Sequence, residues 1–211
     1  MKPLKKASGI RRNFPVAFVG VLLISGGLLV ARGEWQKRTE SQTFGAAQVA
    51  MRQAIGVFPE SDDASQSVAV SSVDTRRVTG LLEAPTIDLS VAIVDYIEYK
   101  DLETAVSRMT TSANLGQPGT TVIVGHRTGF GQPFLDLDQL KIDDQITITL
   151  RDGTKYRYAV AVQKIVSPTT DLSEFDQVAG NSKLILVTCN PKFTTDERLI
   201  IVAKFLYGGS Q

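Results

Sequence analysis

The sequence predicts a mainly β fold, a small and mostly antiparallel β-barrel or sandwich with one or two short helices, preceded by one transmembrane helix. Three observations carry this reading. An uncharged apolar run, FPVAFVGVLLISGGLLVA, occupies Phe14 to Ala31. From about Val78 onward, short runs rich in Val, Ile, Tyr and Thr alternate with turn signals. One of those turns is an Asp-Gly pair between two alternating runs, a strong hairpin signal.

The apolar run is slightly shorter than the ~20 residues a spanning helix usually needs, yet within the usual range. Lys2, Lys5, Lys6, Arg11 and Arg12 precede it, a basic flank that favours a cytoplasmic amino terminus and an exported carboxyl terminus. Trp35 follows, where an indole suits the lipid–water interface. A cleaved signal peptide would have a shorter apolar region ending in a small-x-small site. Leu29-Val30-Ala31 lacks the small first residue, which favours an uncleaved anchor. The expected organisation is a cytoplasmic basic tail over 1–13, an anchor over 14–31, a juxtamembrane helix and linker over 32–77, and an extracytoplasmic domain over 78–211. Such a chain is a single-pass protein of the cell membrane, with the lipid bilayer as its first partner. Within the third segment, Gln36 to about Val57 can form a helix. Phe58 to about Thr75 is rich in Ser, Asp and Ala and reads as a solvated spacer. A chain beginning near Val78 is expected to fold and act alone.

In order along the domain, strands are expected over Leu81–Ile87, Val91–Val94, Thr121–Gly125, Gln145–Leu150, Tyr156–Val162, Leu184–Thr188 and Arg198–Phe205. Ile146 to Leu150 alternates strictly, as in a half-buried strand, and Arg151-Asp152-Gly153-Thr154 turns it into Tyr156-Arg157-Tyr158. Asp101 to about Met109 reads as one short helix.

Charge and rare residues narrow the function. With 23 basic against 22 acidic residues, there is no global field for nucleic acid, and no nucleic-acid partner is expected. The chain has one cysteine, Cys189, and one histidine, His126. That rules out an intramolecular disulfide and a Cys/His zinc cluster, which needs about four such ligands. Cys189 ends the apolar run Leu184 to Thr188, and Asn190-Pro191 stops that strand. His126 follows Thr121 to Gly125 and begins a Gly-rich loop. Arg198 opens the last strand after the loop Thr194 to Glu197. Strand ends fix position while keeping access, which suits catalytic side chains. A cysteine attacks as the thiolate, favoured by a nearby imidazolium or guanidinium, and an arginine can donate to a developing oxyanion.

Together, Gly125-His126-Arg127 with Pro133-Phe134 downstream, Leu186-Val187-Thr188-Cys189-Asn190-Pro191, and Arg198 nine positions after the cysteine resemble the sortase family. The resemblance runs from about Gly80 to Leu206. It is most like the class E sortases of high-GC Gram-positive bacteria, because Pro191-Lys192-Phe193 and Arg198-Leu199-Ile200-Ile201-Val202 are similar to their active-site segments. The chain departs from the family pattern at Ile185, where the cysteine strand usually has threonine, and at Phe130, where class E enzymes commonly carry a tyrosine. Class C sortases usually add a lid and a second hydrophobic segment, and neither is evident in this sequence.

The resemblance implies an eight-stranded sortase β-barrel. It implies Cys189 as nucleophile, His126 as general acid/base and Arg198 as the residue that positions substrate or stabilises the oxyanion. Thr188, Phe130 and Asn190 are expected to bind substrate. The implied reaction is cleavage of a sorting signal of the Leu-Ala-x-Thr-Gly or Leu-Pro-x-Thr-Gly type between Thr and Gly. The partners would be surface proteins carrying that signal and a cell-wall precursor amine as acceptor. No organic cofactor and no metal is expected. Some sortases use calcium, and the Asp171, Glu174 and Asp176 cluster could bind a cation, but calcium wants about six to eight oxygens and few are evident here, so a solvated loop is the expected reading. Two other readings stay open: a cysteine hydrolase on the same scaffold, with water as acceptor, and a non-catalytic membrane-tethered β-domain in which Cys189 is buried and inert.

Overall fold

The computed structural model describes residues 16–56, 74–173 and 182–209, with side chains from residue 32. Among the described residues no helix is long and apolar enough to cross a membrane. The expected tail over 1–13 and all but the helical backbone of the expected anchor over 14–31 lie outside them. So do most of the spacer and, in the acidic group, Glu174 and Asp176.

Eight strands close into one barrel: β1 (Val78–Ala84), β2 (Leu89–Asp95), β3 (Val106–Arg108), β4 (Gly119–Val124), β5 (Gln145–Leu150), β6 (Lys155–Val166), β7 (Ser182–Asn190) and β8 (Glu197–Gly209). The order around the barrel is β1-β2-β3-β4-β7-β8-β6-β5, closed by β1 against β5. β2 with β3 and β4 with β7 are parallel, and the other pairs are antiparallel. Closure leaves no unpaired sheet edge. Inward residues such as Leu82, Ile93, Ile123, Ile148, Leu184, Leu186 and Ile201 fill the interior, with Phe134 and Tyr158 as its largest fully buried rings.

The Asp-Gly turn forms as expected. Thr154 accepts from the Leu150 amide at 2.8 Å, Gly153 adopts φ 85° in the left-handed region, and Asp152 accepts from the Thr154 amide at 2.9 Å. The helix expected from Asp101 to Met109 does not form. Tyr99–Glu103 makes a short 3-10 turn, and the chain then becomes β3. Asp101 explains the difference. Its carboxylate turns inward, accepts from the Ile97 and Glu98 amides, and takes both ends of the Arg77 fork at 2.7 and 2.8 Å. This caps the turn at its start, and Val106 then pairs with Ile93 on β2.

The helix α1 spans Val16–Ile55, and its second half belongs to the same compact unit as the barrel, which begins at Thr39 rather than near Val78. The reason is a buried stripe at helical spacing: Ala47, Met51 and Ile55 pack on Val78, Leu81, Ala92 and Val94. Gln48 sits in the same stripe and satisfies buried backbone groups beside it. Its Oε1 accepts from the Ala92 amide at 2.7 Å, and its Nε2 donates to the Thr104 carbonyl at 2.7 Å. Burying Met51 and Ile55 contributes about 1.5–3 kcal/mol each.

Candidate active site

β4, β7 and β8 are neighbours, and register brings three distant residues to one end of the sheet they form. In the β7–β8 ladder Cys189 lies directly opposite Arg198. In the parallel β4–β7 ladder Val124 pairs with Val187, and the Gly125 amide continues it by donating to the Val187 carbonyl at 3.2 Å. His126 therefore comes level with Cys189.

The two-residue period of a strand assigns the faces. Leu184, Leu186 and Thr188 point into the barrel, whereas Ile185 and Val187 lie on the outer face with Val122, Ile200 and Val202. Cys189 and Arg198 belong by parity to that outer face, as does His126 on the continuation of β4. The outer face has an apolar floor, to which Val166 and Leu172 also contribute. Cys189 is half-buried, neither enclosed nor fully open.

His126 is placed by its neighbours in sequence. Gly125 is buried so tightly that a Cβ there would lie 2.8 Å from both Phe134 Cδ2 and Val106 Cγ1. The Phe134 amide donates to the His126 carbonyl at 3.0 Å. The imidazole packs against two aromatic rings, Tyr99 edge-on at 5.7 Å and Phe130 tilted at 5.0 Å between centroids. Burial pushes its pKa below the ordinary 6.5, and the Glu103 carboxylate acts in the opposite direction. Its Nε2 is buried without a hydrogen-bond partner among the described residues.

The residues expected to bind substrate divide. Phe130 stands beside His126. Thr188 does not line the outer face. It is 2% exposed, and its hydroxyl donates to the Gly125 carbonyl at 2.8 Å, pinning β7 to the residue before His126. Being adjacent to Cys189, it must take the opposite face of the strand. The Asn190 amide is committed to the protein at both ends: its Oδ1 accepts from Arg127, and its Nδ2 donates to Glu197 at 2.7 Å. Arg198 Nη1 donates to the carbonyls of Thr195 and Glu197, each at 2.9 Å.

Sequence reasoning gave Arg127 no role. It is 3% exposed and holds three groups: the Cys189 carbonyl at 3.4 Å, the Asn190 side chain, and Asp138 at 2.9 Å. Asp136 and Asp138 in turn take Lys192 at 3.2 and 3.9 Å. The guanidinium thus fastens the histidine loop to the cysteine strand's end. The signal available in the sequence was its place directly after His126. Among the described residues no group of three or more His, Cys, Asp or Glu side chains is arranged to hold a metal ion.

The sortase domain family matches residues 82–206, most of the barrel and all three strand ends. The chain belongs to the sortase family. Sortases are cysteine transpeptidases, and this sortase has its single thiol at the end of a barrel strand. It is 28% identical over 181 residues to sortase D of Bacillus subtilis, which covers 82% of this chain and 88% of that protein. It is 24% identical over 161 residues to sortase E1 of Streptomyces coelicolor, covering 70% of this chain and 46% of that protein. The crystal structure of the latter with a tripeptide in the active site shares the fold, with a TM-score of 0.57 at 24% identity over 63% of this chain and 90% of that one. Sortase C1 of Streptococcus agalactiae does so with a TM-score of 0.56 at 23% identity, over 77% of this chain and 87% of that one.

Proposed function

We propose that this sortase, of the class E type, cleaves a sorting signal between Thr and Gly and joins the released carboxyl end to a cell-wall amine. We further propose that it does so from a membrane anchor over 14–31, with the barrel outside the cytoplasm. The observation that supports the chemistry best is the facing pair Cys189 and Arg198 on β7 and β8, with His126 level beside them.

The steps follow from these positions. The Cys189 thiolate attacks the Thr carbonyl carbon, forming the C–S bond, and the developing oxyanion takes a donor from the Arg198 fork. The Thr–Gly C–N bond then breaks, and His126 protonates the leaving glycine amine. An acceptor amine attacks the thioacyl carbon, His126 takes its proton, and the C–S bond breaks to return the thiolate. The imidazole of His126 is the group suited to carry that proton in both directions. Phe130, packed against His126, is placed to border the bound peptide.

The test is incubation with Leu-Ala-x-Thr-Gly and Leu-Pro-x-Thr-Gly peptides, with and without an added amine, read by mass spectrometry. A new peptide–amine amide is expected. Release of the free acid at a rate indifferent to the amine would make this a hydrolase, and no cleavage of either peptide would overturn the substrate assignment.

A further inference from the structure

The helix α1 does more than extend from the barrel. Phe44 lies one turn before the buried pair Ala47 and Gln48, is half-buried, and packs against the barrel's main core. Its ring rests directly on Gly131: a Cβ at Gly131 would collide with Cδ1 and Cγ of Phe44 and lie 2.7 Å from Cε1. Gly131 belongs to the loop that follows His126.

That loop is conformationally demanding. Gly129, Phe130, Gly131 and Gln132 all have positive φ, at 83°, 44°, 73° and 54°. For Phe130 and Gln132 the left-handed region costs roughly 1–2 kcal/mol each, so the surroundings must hold the turn in place. Its backbone bonds are local, Gln132 amide to Gly129 carbonyl at 2.8 Å and Leu135 amide to Gln132 carbonyl at 3.0 Å. Local bonds close the turn but do not aim it. Packing aims it: Phe44 rests on Gly131, and His126 packs against Phe130 at 5.0 Å.

We propose that Phe44 is a positioning residue: its ring braces Gly131 and so holds the Gly129–Gln132 turn that sets Phe130 against His126. The inference rests on the acid/base role given to His126 above. The helix is then part of the working site, and a barrel cut at Val78 would lack the brace.

Phe44→Ala in the full chain tests this. It is expected to lower kcat about 10–100-fold while KM changes by less than about twofold, since a small misplacement of a catalytic group costs rate more than binding. Phe44→Leu, which keeps an apolar filler, should recover most of kcat. His126 is the only histidine, so its ring signals in NMR are unambiguous. They should shift in Phe44→Ala, with the titration midpoint moving up toward the ordinary value as the ring gains solvent. Glu103, Tyr99, Cys189 and Arg198 remain unchanged in every variant. Gly131→Ala should lose less activity in the Phe44→Ala background than in the wild type, because the colliding ring is gone. Unchanged kcat and unchanged His126 signals, with only a lower Tm, would reduce Phe44 to ordinary packing and overturn the inference. If the wild type transfers no peptide at all, the functional reading fails, while the His126 signals still report on the brace.

Discussion

Replacing Arg127 with Met tests whether the histidine loop and the cysteine strand act as one clamped unit. Met roughly keeps the volume but removes every donor. The side chain is 3% exposed, whereas that of its partner Asp138 is 40% exposed and can turn to water. The full 3–5 kcal/mol for breaking a buried pair therefore does not apply, and about 2–3 kcal/mol, the scale of a charged hydrogen bond or two, is expected. At about 2–4 °C per kcal/mol for a domain of this size, Tm should fall about 4–12 °C. The effect on catalysis should exceed this. The Cys189 carbonyl and the Asn190 side chain lose the donor that ties them to the loop of His126. A displacement on the order of 1 Å costs about 10²-fold in rate. Arg127→Lys should recover part of the stability and little of the rate, because lysine cannot span several acceptors with one planar fork. The assay is kcat and KM for a sorting peptide with amine, measured well below each variant's Tm. A kcat for Arg127→Met within about threefold of wild type would refute the clamp, since that is far under the loss expected from misplacement.

Four other outcomes follow from the same geometry. Cys189→Ala should abolish cleavage and transfer with an unchanged fold by circular dichroism, and cleavage near the wild-type rate would remove Cys189 as nucleophile. Arg198→Ala should lower kcat/KM about 10²–10³-fold, the scale of one oxyanion donor, with incomplete rescue by Arg198→Lys. Removing α1 by starting at Val78 exposes Leu81 and Val94 and forfeits about 3–6 kcal/mol from Met51 and Ile55 alone, so aggregation or a collapsed Tm is expected; an active, stable barrel would contradict this. Burial pushes the Asp101 carboxyl up, but the Arg77 guanidinium and the amides of Glu98 and Ile97 outweigh it and hold the pKa at about 2. A pKa depressed on folding adds stability that is complete above the unfolded value of 3.8, so about 2 kcal/mol should be lost as pH falls from about 4 to about 2, and Asp101→Asn should lack that step.

Most of the barrel was legible because its strands are long enough to show their pattern. β5 was read to the residue from Ile146-Thr147-Ile148-Thr149-Leu150 and its Asp-Gly turn. β3 was not, and the reason is physical. It has three residues, and two of them, Ser107 and Arg108, are polar yet buried. Arg108 tolerates that position because Asp95 takes its Nε at 2.8 Å and the carbonyl of Ser112 takes Nη1 at 3.2 Å. Asp95 lies 13 positions before Arg108, beyond helical distance, so propensity favoured a helix where a long-range ion pair decides for a strand. A helix was expected over Gln36 to about Val57, and α1 runs through this segment to Ile55, but its attachment to the barrel was not expected. Gln48 interrupts the apolar stripe in sequence, while in three dimensions it completes the stripe by bonding to β2.

The candidate site divides along the same line. That Cys189, His126 and Arg198 lie at strand ends was legible because each is a reactive type at the end of an apolar run, and two of them are the only ones of their kind; that the three ends come together is the work of the register. Thr188 was misplaced by an argument from proximity that the strand's own period answers. If Cys189 faces the groove, its neighbour must face the core, and Leu184 and Leu186 on Thr188's parity are among the fully buried core residues. That deduction needed only the sequence. Arg127 and Phe44 are different, because burial is a property of the whole fold. An arginine in a Gly-rich loop is normally solvated, and nothing in the intervening residues shows that a ring on the helix meets a glycine beyond the histidine. The candidate catalytic side chains are thus placed locally, at three strand ends. The precision with which those ends are held comes from residues whose roles exist only after the barrel closes.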